Sequence, residues 1–362
     1  MYLLLYSNIT LTIGAKRSLI SDLQNGKVHL IPNSFAIFIN ENNKKDKKEI
    51  YNTYSKEEVP IVNEYFQWLE KKEFISWIEN QELLDCFVEL PKQWDMPYKI
   101  TNMILDIGIT PITLDKVFEE IETHKVPFLQ IRFYKNISIT ELSNILYKLK
   151  ESCINGLEII LPYSDLFTEE VIIEIISNQT RIFEIVFYNA PTNKTVNNLL
   201  EHLYLNSKIV YTIEDISSCK YCGIISQNHF VANIDLYMEG QFHNTCLNRK
   251  ISVDENGDIK NCPSMLKNFG NINNTSFNEV LLNNEFINTW NITKSDITIC
   301  KECEFRNICT DCRAYIQNPN DIFSKPLKCG YDPYSNEWEE WSKNPLNKIG
   351  IEFYELENHL PS

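Results

Sequence analysis

The chain has 362 residues, of which 43% are hydrophobic, and a formal net charge of −15. That length can bury a sizeable core spread over two or three domains. The acidity excludes a general nucleic-acid binder, because backbone phosphates need a basic surface. No stretch approaches the ~20 apolar residues that span a bilayer, and the apolar Met1–Tyr6 opening lacks a basic flank, so neither a membrane span nor an export signal is expected. The expected compartment is the cytoplasm, where the 11 cysteines should be thiols rather than disulfides.

In chain order, residues 1–95 read as a small winged-helix-like module. His29–Ile31 and Phe35–Ile39 have the character of strands, and a polar loop runs from Asn40 to Lys48. Val62, Tyr65, Phe66 and Leu69 recur at i, i+3, i+4 and i+7, which marks an amphipathic helix. A short apolar segment, Phe74–Ile78, follows, and Leu90–Pro97 with its two prolines reads as a linker. Residues 96–235 alternate apolar runs with helical periods. The strands expected are Met103–Ile107, Phe128–Phe133, Leu157–Leu161, Ile182–Phe187 and Lys208–Thr212. The helices expected between them are Leu114–His124, Thr140–Lys150, Thr168–Asn178 and Thr195–Leu205, with Thr140 and Thr168 as N-caps. Alternation of this kind predicts an α/β fold with a parallel sheet. Five units fall short of the eight of a closed barrel, so an open or partial barrel is expected.

From about residue 214 the periodicity weakens, and Asn, Gly and Cys dominate. Sequence this rich in loops seldom packs on apolar contacts alone, and bound metal would contribute folding free energy directly. Residues 236–340 hold Cys246, Gly257 and Cys262, then Cys300, Cys303, Cys309 and Cys312, then Cys329. Residues 341–362 form a tail, and Trp338–Trp341 is expected to be a capping helix. Clustered thiols in a reducing compartment point to metal or iron–sulfur binding. Cys300, Cys303, Cys309 and Cys312 alone could form a tetrahedral zinc site. Zinc would leave Cys246, Cys262 and Cys329 an incomplete trio that needs Cys219 or Cys222, whereas a cubane takes four thiolates at its corners.

The order Cys246-x10-Gly257-x4-Cys262, then Cys300-x2-Cys303-x5-Cys309-x2-Cys312, then Cys329 resembles the SPASM domain of radical S-adenosylmethionine peptide maturases. It departs from that pattern by one residue, between Cys309 and Cys312. Asn244–Pro263 is similar to the maturases of grasp-with-spasm systems, which act beside an ATP-grasp ligase on a ribosomally made precursor peptide. The resemblance implies two auxiliary [4Fe–4S] clusters. Cys246, Cys262 and Cys312 would hold the first, and Cys300, Cys303, Cys309 and Cys329 the second. The fourth ligand of the first is left open among Cys222, Cys219, His243 and a free position. The resemblance also implies a radical S-adenosylmethionine-like barrel, and a leader-recognition role for residues 1–95 in which the precursor adds as a strand.

One part of the family's pattern is absent. The loop after the first barrel strand, Gly108–Thr113, contains no cysteine, so the Cys-x3-Cys-x2-Cys site that binds S-adenosylmethionine is not expected. No glycine-rich acidic motif follows the second strand. Asp215-x3-Cys219-x2-Cys222 mimics the spacing, but Asp is a hard oxygen ligand and poor for a cluster. Cys86 and Cys153 read as small buried hydrophobes. The expectation is therefore an iron–sulfur protein that presents precursor to the ligase without radical chemistry of its own. The alternatives are a redox peptide-modifying enzyme using the auxiliary clusters, and a zinc-stabilised binding protein.

Overall fold

The computed structural model describes residues 1–91, 93–197 and 207–360. At the N-terminus β1 (Tyr2–Leu5) pairs antiparallel with β5 (Ile75–Ile78). Strands β2 (Ile9–Ile13), β3 (Arg17–Asp22) and β4 (Lys27–Pro32) make a three-stranded antiparallel sheet. Helices α1 (Asn33–Asn42), α2 (Lys47–Thr53) and α3 (Val59–Lys71) come before β5, and the short α4 (Gln81–Leu84) after it. The expected strand at Phe35–Ile39 is instead part of α1. Phe35, Ala36, Phe38, Ile39 and Asn42 are buried with the 3.6-residue period of one helix face, while Ile37 is exposed. The polar loop expected at Asn40–Lys48 shrinks accordingly, since α1 runs into it and α2 starts within it. The helix expected around Val62–Leu69 is α3, and its buried Val62, Phe66 and Leu69 face the module's core.

The central region alternates as expected: β6 (Asn102–Ile107), α5 (Leu114–His124), β7 (Phe128–Phe133), α6 (Ile139–Lys148), β8 (Gly156–Pro162), α7 (Glu169–Asn178) and β9 (Ile182–Tyr188). Then come β10 (Lys194–Val196) and β11 (Lys208–Tyr211). The start of the helix expected at Thr195–Leu205 lies in β10, and its residues 198–205 lie outside the described residues. Thr168 caps α7 through Val171 N as expected, but α6 is capped by Ser138, which accepts from Glu141 N, and not by Thr140.

The cysteine-rich region supplies α8 (Ile234–Gly240), β12 (Lys250–Val253), β13 (Ile259–Lys260), α9 (Phe277–Leu281), α10 (Asn284–Asn288), β14 (Tyr331–Asp332), β15 (Glu337–Trp338) and α11 (Lys348–Phe353). Trp338 is thus in a hairpin strand instead of the expected capping helix, with the chain turned at Asn336, whose φ is +65°. Strand β12 joins the central sheet beside β6, in parallel, Lys250 opposite Asn102. The eight-stranded sheet has the order β10-β11-β9-β8-β7-β6-β12-β13, mostly parallel and open at both edges. Its core is aliphatic: Leu105, Leu129, Ile131, Ile159 and Ile185 are buried between sheet and helices, each worth roughly 1.5–3 kcal/mol relative to exposure. Among the described residues, no helix is long and apolar enough to cross a membrane.

Candidate metal centre

Cys222, Cys246, Cys262 and Cys312 come together although they lie far apart in the chain. Their thiols influence one another: burial and then the charges of Cys222 and Cys246 push Cys262 up, and burial with Cys246 and Cys222 pushes Cys312 up to about 12. Local structure explains the arrangement. Asn244 accepts from Cys246 N and Leu247 N at 3.0 and 2.8 Å, an Asx turn that fixes Cys246. Cys262 follows the β12–β13 hairpin, whose turn places Gly257 at φ +83°, a region that glycine enters without penalty. Cys222 closes a 3-10 turn over Cys219–Tyr221 and is followed by Gly223 at φ +89°. A Cβ on Gly223 would stand 2.8 Å from Cys312 Sγ, so the glycine lets that sulfur approach.

Cys300, Cys303, Cys309 and Cys329 form a second set around a common cavity, which Lys294 and Phe305 also line. Successive tight turns bring them there. Cys303 N donates to Cys300 O, Arg306 N to Cys303 O and Ile308 N to Phe305 O. Burial pushes Cys300 up to about 11, Cys309 up to about 12, and Cys303 well above its ordinary value. Phe230, Phe305, Tyr331 and Trp338 pack about one another, tilted or edge-on, and the half-buried Cys303 and Cys329 lie against them.

Cys312 therefore does not join Cys300, Cys303 and Cys309, and these four do not gather as the alternative zinc site would need. Among the described residues, no group of three or more His, Cys, Asp and Glu side chains is placed to hold a metal ion. One tetrahedral zinc with ~2.3 Å bonds needs its sulfurs ~3.8 Å apart, whereas a cubane takes a wider cage.

Cations attend both sets. Lys250 Nζ lies 3.6 Å from Cys246 Sγ, and Lys294 Nζ lies 3.5 Å from Cys309 Sγ. Burial opposes the charge on Lys250, but Cys246, Cys262 and Cys222 outweigh it and its pKa rises. Lys328, 2% exposed, donates to Cys222 O at 2.9 Å and to Lys220 O. Eight thiols, three of them buried, four half-buried and Cys222 exposed, stand beside the half-buried Lys250 and the buried Lys294 and Lys328. They suit a bound group that strips the thiol protons and leaves an anionic assembly, as a thiolate-ligated cluster does. In chemistry and number the donors fit two such clusters. Asp311, the residue before Cys312, ties the sets together: it accepts from Asn244 at 2.7 Å and meets Lys294 at 3.4 Å and Arg313 at 2.9 Å. Nothing in the spacing of the cysteines pointed to Lys250, Lys294, Lys328 or Asp311.

Of the remaining sequence-derived residues, Cys219 lies beside the first set, with Tyr315 and Lys328 as neighbours in common with Cys312, and the others have partners of their own. Cys219 faces Asp106, Arg132 and Lys260, and its carbonyl accepts from Ser264 and Tyr315. His243 meets Asn291 at 3.1 Å and the Trp94 ring. Asp215 accepts from Ser217 N and the Tyr221 hydroxyl, so Asp215, Cys219 and Cys222 do not converge. Cys86 is exposed, contrary to expectation, its thiol donating to Glu82 O; Cys153 is half-buried against the central core.

At the carboxyl end of the parallel sheet, where α/β folds place ligands, Arg132 grips Asp106 through two bonds of 2.6 and 2.8 Å. Tyr134 adds a third at 3.1 Å. Both ion-pair partners are buried. The cysteine-free loop after β6 begins with Gly108, where a Cβ would collide with the Glu255 carboxylate.

The N-terminal module docks onto the second set. Ala15 N donates to Glu302 O at 2.8 Å, Arg306 to Ile13 O at 2.7 Å, and Asn307 to Thr12 Oγ1 at 3.0 Å. Arg17 pairs with the buried Glu304 at 2.6 Å and donates to Tyr331 at 3.2 Å. All the residues contacted between 302 and 307 belong to the loop between Cys300 and Cys309. A groove of about 1480 Å³ opens in the same module, lined by Leu5, Ile9, Leu11, His29 and Phe74 among others.

No protein-family description matches the chain, and no curated protein matches it. Solved structures of Streptococcus suis SuiB are similar in outline. SuiB bound to S-adenosylmethionine is 11% identical with a TM-score of 0.34, covering 90% of this chain and 98% of its own. SuiB alone gives 11% and 0.34, covering 89% and 98%. SuiB bound to its precursor peptide SuiA gives 10% and 0.31, again covering 89% and 98%. Likeness at that level carries no argument about what this chain does.

Proposed function

We propose that the chain is an iron–sulfur protein of ribosomal-peptide maturation, which binds a precursor peptide and presents it to an ATP-grasp ligase. The observation that carries this reading is the gathering of eight cysteines into two sets of four, each beside a lysine. Cys222, Cys246, Cys262 and Cys312 would hold one [4Fe–4S] cluster, and Cys300, Cys303, Cys309 and Cys329 the other. When bound, such clusters supply one-electron transfer. Four sulfurs per set leave no ligand position open, which favours a structural or electron-transfer role over direct substrate binding.

The chain's own residues do the rest. Residues 1–95 would hold the leader of the precursor. Their groove exceeds the ~300–1,000 Å³ typical of small-molecule sites, which favours an extended peptide. Docking of that module on the loop around Glu304 would keep the bound peptide near the second set. At the sheet's carboxyl edge, the closed Asp106–Arg132 pair and the cysteine-free loop at Gly108–Thr113 support a protein that does not cleave S-adenosylmethionine.

The test uses the full chain, reconstituted anaerobically and titrated with labelled peptides encoded beside its own gene. The reading predicts saturable binding of one such peptide and no 5′-deoxyadenosine from the reduced protein given S-adenosylmethionine. Absence of binding to every such peptide, or turnover of S-adenosylmethionine, overturns it.

A further inference from the structure

The two cysteine sets carry their positive charge differently. At the second set Lys294 and Arg313 share the single carboxylate of Asp311, at 3.4 and 2.9 Å, which leaves one buried positive charge between them. Arg17 is answered by Glu304 at 2.6 Å. Arg306, the other cation near Cys303, is half-buried as Lys250 is, but its guanidinium is taken up by the carbonyls of Ile13 and Cys303. At the first set Lys250 and Lys328 stand beside Cys246 and Cys222, and among the described residues neither has a carboxylate within 4.0 Å. Glu239 feels Lys250 only from beyond that distance, and burial shifts it toward its neutral form. Arg132 is already neutralised by Asp106.

Reducing a cluster adds negative charge, and an unanswered ammonium in a low dielectric favours that state, whereas a paired one favours it little. We propose that Lys250, backed by Lys328, holds the cluster of Cys222, Cys246, Cys262 and Cys312 at a higher reduction potential than the cluster of Cys300, Cys303, Cys309 and Cys329. The inference rests on the iron–sulfur reading above. Lys250 acts through Cys246 and is a positioning residue for the cluster's charge.

The experiment is a potentiometric titration of the anaerobically reconstituted full chain, followed by electron paramagnetic resonance. Iron and sulfide are measured first, and a protein that takes up neither sinks the iron–sulfur reading itself. With both clusters present, the wild type should give two waves, and a Cys300→Ser/Cys303→Ser variant should lose the lower one. Lys250→Gln should move the upper wave to more negative potential, Lys250→Arg should restore most of the shift, and Lys294→Gln should leave the upper wave in place. Loss of the upper wave in the Cys300→Ser/Cys303→Ser variant overturns the proposal, and so does an unmoved wave in Lys250→Gln. If Lys250→Gln fails to load its first cluster, the order of the two wild-type waves decides.

Discussion

Gly223→Ala probes the first cysteine set at one atom. At φ +89° a Cβ costs ~1–3 kcal/mol of backbone strain, and it would also stand 2.8 Å from Cys312 Sγ and 3.2 Å from the Tyr315 ring. The sulfur or the Cys222 turn must shift, so the cost should fall on the geometry of the set as well as on the fold. Gly26→Ala is the control: its φ of +67° brings similar strain, but the nearest neighbour of the added atom is Ala232 O at 3.6 Å. Iron per chain after anaerobic reconstitution, with unfolding midpoints in denaturant, separates the two effects. Both variants should unfold earlier, Gly223→Ala by more because it also loses the folding free energy of a cluster, and Gly223→Ala alone loses about half of the iron. Full iron in Gly223→Ala, or equal iron loss in both, would refute the account of Cys312's approach.

Three further outcomes follow from buried charge and close contact. Arg132→Met leaves Asp106 buried without its partner and should cost roughly 3–5 kcal/mol in denaturant unfolding, with Asp106→Leu added on top recovering much of it; an effect of the size of a surface pair would contradict the reading. Burial pushes Glu239 up from 4.5 to about 7, so the folded state binds its proton more tightly than the unfolded chain. That stability is present in full below pH 4.5 and is lost as pH rises to about 7, a fall of roughly 3 kcal/mol that Glu239→Gln should abolish in pH-dependent unfolding. Gly14→Ala sets a Cβ 2.7 Å from Arg17 O and 2.8 Å from Glu304 N, so it should loosen the N-terminal module and speed proteolysis at the β2–β3 hairpin; an unchanged cleavage rate would mean that the contact does not hold the module.

The central strands and helices were legible because their apolar residues repeat with clear periods, from Met103 to Tyr211. Phe35–Ile39 misled because five residues, four of them bulky and apolar, fit either period; only Asn42, one turn beyond, reveals the helix face. Strand β12 was hidden by its length, four residues between two cysteines, although it completes the parallel sheet at β6. The cysteines announced themselves as a group, but their spacing does not say which sulfur faces which: Asp311 binds Asn244, two residues before Cys246, and Gly223 leaves room for the Cys312 sulfur. Lys250, Lys294 and Lys328 look in sequence like any surface lysine. Burial beside sulfur is a product of the fold, and no local pattern encodes it.

Two independent sets of four thiolates should each hold a cluster. Iron and acid-labile sulfide should be counted per chain after anaerobic reconstitution, in the wild type, in Cys222→Ser/Cys262→Ser and in Cys303→Ser/Cys309→Ser. The account predicts about eight of each in the wild type and about four in either double variant, as two four-iron clusters require. Zinc without sulfide, or complete iron loss from both variants, would contradict it.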